Sequence, residues 1–140
     1  MRDLKDKVAV ITGGGGGIGR ALALAFATEG MHIALADVEE EALAAVASEV
    51  TKLGVRCSTS VIDVTDLESM QAFADKVFDE LGGAHIICNN AGVVTMKKAQ
   101  DMSASDWDWV VGVNLYGVIN GIQAFLPKMV EQDAGGHIVN

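Results

Sequence analysis

Five consecutive glycines, Gly13 to Gly17, with Gly19 two residues on, are the first residues in this chain whose type points to chemistry. Backbone without side chains turns tightly and comes close to an anion. A helix starting there aims its free N–H groups and positive dipole end at the same spot. The chemistry implied is the cradling of a pyrophosphate. Two registers satisfy the pattern. Gly14, Gly16 and Gly19 give Gly-x-Gly-x-x-Gly, whereas Thr12, Gly13, Gly17 and Gly19 give Thr-Gly-x-x-x-Gly-x-Gly. A P-loop needs Lys and then Ser or Thr behind its last glycine, and Arg20 and Ala21 stand there instead. Twenty residues beyond Gly17 comes Asp37. An acid at the end of the second strand accepts hydrogen bonds from ribose hydroxyls and repels a 2′-phosphate, which favours NAD over NADP. No Arg or Lys lies beside Asp37 or within the glycine run to receive a further phosphate.

The elements that must position these residues alternate regularly. Val8 to Thr12 is a continuous apolar run, the pattern of a strand buried on both faces. Ile18, Leu22, Ala25 and Phe26 recur at helical spacing, and Gly30 supplies the stop. His32 to Asp37 reads as a second strand, and Glu39 to Leu53 as a helix with glutamates at its positive end. Val55 to Asp63, a third and more polar strand, precedes a helix from Asp66 to Leu81 that Gly82-Gly83 ends. Ala84 to Asn89 is the fourth strand, and Asn90-Ala91-Gly92 a turn. Ser103 and Asp106 have the spacing of a capping box. Helical pattern then continues to about Glu131, weakened by Gly112, Gly117 and Gly121, with Pro127 expected to bend or interrupt its last turns. After Gly135-Gly136, His137 to Asn140 begins a fifth strand. Such alternation implies an α/β fold, a Rossmann-type doubly wound parallel sheet with right-handed crossovers.

Composition narrows the function. The 140 residues suit one domain, half of them are hydrophobic and 5% are aromatic, so the core must be built of Ala, Val, Ile and Leu. A net charge of −9 argues against nucleic acid as a partner. The longest apolar run, Ala21 to Ala27, falls far short of the ~20 residues that span a bilayer, and the N-terminus has no signal-peptide core. The expectation is a cytoplasmic protein without a membrane partner. Cys57 and Cys88 fit reduced thiols there. His32, His85 and His137 lack the spacing of metal ligands, so no metal site is expected.

Four motifs occur in order: Thr12-Gly-x-x-x-Gly17-Ile18-Gly19, Asp63-Val64, Asn89-Asn90-Ala91-Gly92 and Asn114-Leu115-Tyr116-Gly117. Together they resemble the N-terminal half of the short-chain dehydrogenase/reductase family, along essentially the whole chain. The resemblance selects the Thr12 register. It implies that Gly13, Gly16, Gly17, Ile18 and Gly19 hold the pyrophosphate of NAD. It further implies that Asp37 and Val38 bind the adenosine ribose region, Asp63 and Val64 the adenine, and that Asn90, Ala91 and Gly92 line the cofactor. Asn114 matches the family's catalytic asparagine, which holds a water for proton relay within a distorted helix. Gly16 departs from the commoner Ser or Asn, so a side-chain contact to the cofactor is missing there. Trp107-Asp108-Trp109 with Asn114-x-x-Gly-x-Ile-Asn120-Gly121 also resembles a branch that oxidises benzylic alcohols of lignin-derived aromatics. Helix packing is the competing reading of both tryptophans.

The family's proton transfer uses a serine just after the fifth strand and a later Tyr-x-x-x-Lys, in which the lysine lowers the tyrosine pKa. In this chain the sole tyrosine, Tyr116, has Asn120 four residues on, and Ser103 and Ser105 sit at a helix start. Residues 1–140 are therefore expected to be the NAD-binding Rossmann domain of an alcohol dehydrogenase or carbonyl reductase, truncated after the fifth strand and without turnover alone. The full-length form would take an alcohol or carbonyl substrate and form a homo-oligomer. The alternative is a non-catalytic dinucleotide-binding or interaction module. A methyltransferase would want an acid where Thr12 ends the first strand.

Overall fold

Every side chain of Val8–Thr12 (β1) is buried, and the alternation of the strand divides them between two cores. In the computed structural model, which describes residues 3–140, Val8 and Val10 face one cluster with Ala34, Phe73 and Phe125. Ala9 and Ile11 face the other, with Ile33, Leu35, Leu43 and Val46. A strand covered on both sides has no place for a polar residue except at its end, and Thr12 is at the end.

The remaining strands are His32–Asp37 (β2), Cys57–Val61 (β3), Ile86–Cys88 (β4) and His137–Val139 (β5). They form one sheet in the order β3-β2-β1-β4-β5, all neighbours parallel. The chain steps outward from β1 to β3 and then returns to the other side of β1 for β4. Order therefore reverses between β1 and β4, the switch point where the strand tips leave a crevice. Gly17–Thr28 (α1) and Glu40–Thr51 (α2) cover one face, while Leu67–Leu81 (α3) lies on the other. The Asp66 carboxylate caps α3 by accepting from the Glu68 and Ser69 amides. All five expected strands form in the expected order. The third is shorter than expected, Cys57–Val61 against Val55 to Asp63, although the Arg56 carbonyl and the Ile62 amide just beyond its ends still bond to the Ile33 amide and the Asp37 carbonyl of β2.

The long helical pattern resolves into Ala104–Val111 (α4), a π turn over Gly112–Tyr116, and Gly117–Glu131 (α5). Its distortion lies at the π turn. Pro127, expected to bend or interrupt the last turns, does not interrupt α5, which runs on to Glu131. Pro127 and Gln123 are both exposed, so water can take the carbonyl that the missing proline N–H leaves free. The whole stretch, Ala104–Glu131, is 28 residues and long and apolar enough by composition to cross a bilayer. Here α5 spends its apolar stripe on the core, where Phe125 meets Phe73 edge-on at 5.6 Å.

Candidate dinucleotide-binding site

Thr12 organises the crevice. Its hydroxyl donates to the Cys88 carbonyl (3.4 Å) and accepts from the Asn90 (3.0 Å) and Ala91 (3.1 Å) amides. One donor and two acceptor sites are all a hydroxyl has, so it is fully used. Asn90 returns the tie, its Nδ2 donating to the carbonyls of Thr12 (2.9 Å) and Gly13 (3.2 Å). The glycine turn is thereby hung between the tips of β1 and β4.

Two of its glycines are sterically required. Gly13 has φ +65°, and a Cβ there would press on the Ala91 backbone at 2.9 Å. At Gly19 a Cβ would run into the Gly13 carbonyl, so the first turn of α1 rests directly on the bend. Gly16, by contrast, has extended backbone and open space where a side chain would go. The common Ser or Asn is absent by sequence and not for want of room.

Asp37 closes the turn from β2. Its Oδ2 accepts from the Gly15 amide (2.8 Å) and its Oδ1 from the Glu39 amide (3.1 Å). Both oxygens keep lone pairs free for further donors. At the tip of β3, the Asp63 Oδ1 accepts from the Thr65 amide (2.9 Å), and the Val64 carbonyl accepts from the buried Asn120 Nδ2 (2.9 Å). Gly117 leaves the space that the Val64 side chain fills. Asn120 and Gly117 thus position the β3 tip from α5, a role that sequence spacing did not reveal.

These elements enclose an open cleft of about 690 Å³. Ten of the residues expected at a cofactor site line it: Gly13, Gly16, Ile18, Asp37, Val38, Asp63, Val64, Asn90, Ala91 and Gly92. Gly17 begins α1 with φ +49°, and Gly19 is buried beneath the bend, so neither belongs to the wall. Asn114 also lies off the wall, in the π turn. Its Oδ1 accepts from the Val93 amide (2.8 Å) and its Nδ2 donates to the Val93 carbonyl (2.9 Å), clasping the loop after β4. Val93, Ile62, Glu39, Trp109 and Val113 complete the wall. The tryptophans, for which helix packing was the competing reading, are both half exposed, and Trp109 faces the cleft.

Burial raises the pKa of the Cys88 thiol and pushes that of Cys57 up to about 11, so neither is a ready nucleophile. Among the described residues no group of three or more His, Cys, Asp or Glu converges as metal ligands would.

A sequence profile of the short chain dehydrogenase family matches residues 7–140. The chain belongs to that family. Among its relatives, "Probable oxidoreductase EphD" of Mycobacterium tuberculosis is 43% identical over 135 residues, covering 96% of this chain and 23% of that protein. The C alpha-dehydrogenase of a Sphingobium species is 39% identical over 140 residues, 99% of this chain and 46% of that one. It meets the resemblance to the lignin-related branch. Among solved structures, a short chain dehydrogenase/reductase from Burkholderia phymatum in complex with NAD superposes with a TM-score of 0.96 at 42% identity. The match covers all of this chain and 50% of that one. The chain therefore spans half or less of the length of these three relatives. The short-chain fold, a five-stranded parallel Rossmann-like sheet with helices on both faces, is shared throughout the matched part.

Proposed function

We propose that residues 1–140 are the NAD-binding part of an NAD-dependent alcohol dehydrogenase or carbonyl reductase. The observation that carries the reading is the convergence of the glycine bend, the start of α1 and Asp37 on one cleft at the strand-order reversal. Gly13 and Gly19 leave the backbone bare where a pyrophosphate must approach, and α1 offers its N-terminus. Asp37 would take the ribose hydroxyls, Val38, Asp63 and Val64 the adenine side, and Asn90, Ala91 and Gly92 the nicotinamide side. When bound, NAD supplies the hydride acceptor. Four of the similar solved structures, those from Burkholderia phymatum, Mycobacterium paratuberculosis and Mycobacterium avium and a xylitol dehydrogenase, are NAD complexes, which supports that choice. No Lys or Arg lines the cleft to pair with a 2′-phosphate.

Asn114 would act from the π turn, where its side chain is already committed to Val93. A π turn loosens regular helical bonding and so can leave a main-chain group open to water. No Tyr-x-x-x-Lys occurs in these 140 residues. They are proposed to bind cofactor without turning it over, while the whole protein takes a small alcohol or carbonyl compound and works as a homo-oligomer.

Isothermal titration with NAD and NADP tests the assignment. Losing a charged acceptor costs about 1.5–3 kcal/mol, so Asp37→Ala should weaken NAD on the order of 10- to 100-fold. Asp37→Asn, which keeps an acceptor for the Gly15 amide but drops the charge, should narrow the preference for NAD over NADP. Unchanged affinities of both variants for both cofactors would remove Asp37 from the site.

A further inference from the structure

Trp107 and Trp109 are half exposed to similar degrees, 51% and 50%, yet they stand on different sides of α4. Two residues on a helix differ by about 200° in direction, and four differ by only about 40°. Trp109 accordingly shares its face with Val113, and both line the cleft, whereas Trp107 does not. An indole left half in water above a binding cleft is unspent apolar surface with a flat π face.

The direction of a bound dinucleotide identifies what would cover it. The pyrophosphate belongs at the glycine bend and the adenosine ribose at Asp37. The base must then continue away from the bend, past the β2 tip toward the β3 tip. Ile62, Asp63 and Val64 line the cleft at that tip, and Trp109 and Val113 line it from α4 and the π turn, whose Gly112 stands beside the Thr65 side chain just past the β3 tip. We infer that Trp109 is a base-contacting residue that flanks the adenine of the dinucleotide and sets affinity for the adenosine half. The inference rests on the dinucleotide reading of the cleft and adds to it a contact from α4.

The experiment separates the two halves of the cofactor. ADP-ribose and nicotinamide mononucleotide are titrated calorimetrically into the parent chain, Trp109→Ala, Trp109→Phe and Trp107→Ala. Base–aromatic stacking predicts that Trp109→Ala weakens ADP-ribose about tenfold and leaves nicotinamide mononucleotide unchanged. Trp109→Phe should recover most of the loss, and Trp107→Ala should match the parent. Fluorescence gives a second readout, since the chain has two tryptophans. ADP-ribose should quench Trp107→Phe, where Trp109 is the sole indole, and leave Trp109→Phe unquenched. ADP-ribose binding within twofold of the parent by Trp109→Ala, with no quenching of Trp109, overturns the inference and leaves the dinucleotide reading standing. A folded parent that binds neither NAD nor ADP-ribose brings down both.

Discussion

One continuous helix contains two regions held in opposite ways. α5 buries Gly117, Asn120, Gly121, Ala124, Phe125 and Met129, and its place is decided by packing on α3 and the sheet. α4 buries no residue at all. It is fixed instead by polar contacts at its ends. Ser103 and Asp106 form a reciprocal capping box, Lys97 reaches the Asp106 carboxylate at 2.7 Å, and Asn114 clasps Val93. The half beside the cleft therefore depends on directional bonds in water, and the distant half on excluded water. A wall that must admit a ligand is better built the first way, because local opening there need not disturb the core.

Variants on the two halves should separate cleanly. The largest effect is expected at Phe125→Ala, which empties the fully buried contact with Phe73. Loss of about 3–5 kcal/mol in chemical denaturation is expected for such a site, and every probe should report it together. Ser103→Ala removes only the cap, about 1 kcal/mol. Its signature is local: faster amide exchange at the start of α4 with α5 protection little changed. Equal acceleration along both halves would mean that they are one cooperative unit and the contrast is false.

A smaller effect comes from pH and adds the sheet to the comparison. His85 Nδ1 accepts the Val8 amide (3.1 Å) and His32 Nδ1 accepts the Arg56 amide (3.2 Å). An imidazolium can do neither. The His32 pKa is lowered by desolvation and then by Arg56, and that of His85 by desolvation and then by Lys7. With folded values below the unfolded value of about 6.5, the unfolded chain binds more protons in the interval between them. Stability is thus full above about pH 6.5 and falls as pH drops below it. The Asp106 carboxyl is held well below its usual range, first by Lys97 and then by Ser103, so the α4 cap should outlast this loss. Denaturant midpoints measured from pH 7.5 to 5 check the slope. His85→Gln, which retains an acceptor but does not titrate, should flatten it.

What could be read from sequence followed from local physics. The buried run at Val8–Thr12, the bare bend after it and the acid ending β2 each announce themselves within a few residues. So does the Ser103–Asp106 cap. Three features depend on residues far apart and were not legible. The Thr12 hydroxyl meets Asn90 and Ala91 only because β4 pairs with β1. Asn120 reaches Val64 across 56 positions. Trp109 looks like a core aromatic until the π turn fixes which way α4 faces. The expected interruption at Pro127 failed for the opposite reason: a local rule against proline yielded to an exposed helix face that water can satisfy.

The π turn has one more consequence. Each residue of a helix advances its direction by about 100°, and a π turn fits in a residue that a regular helix has no room for. It therefore works as a phase shift between α4 and α5, letting one rod show Phe125 to the interior and Trp109 to the crevice. Were Gly112–Tyr116 wound as ordinary α-helix with all five of its residues, each would advance by the α-helical angle and the first half would rotate by about that same angle relative to α5. The indole would then be carried off the rim without any contact of α5 having changed.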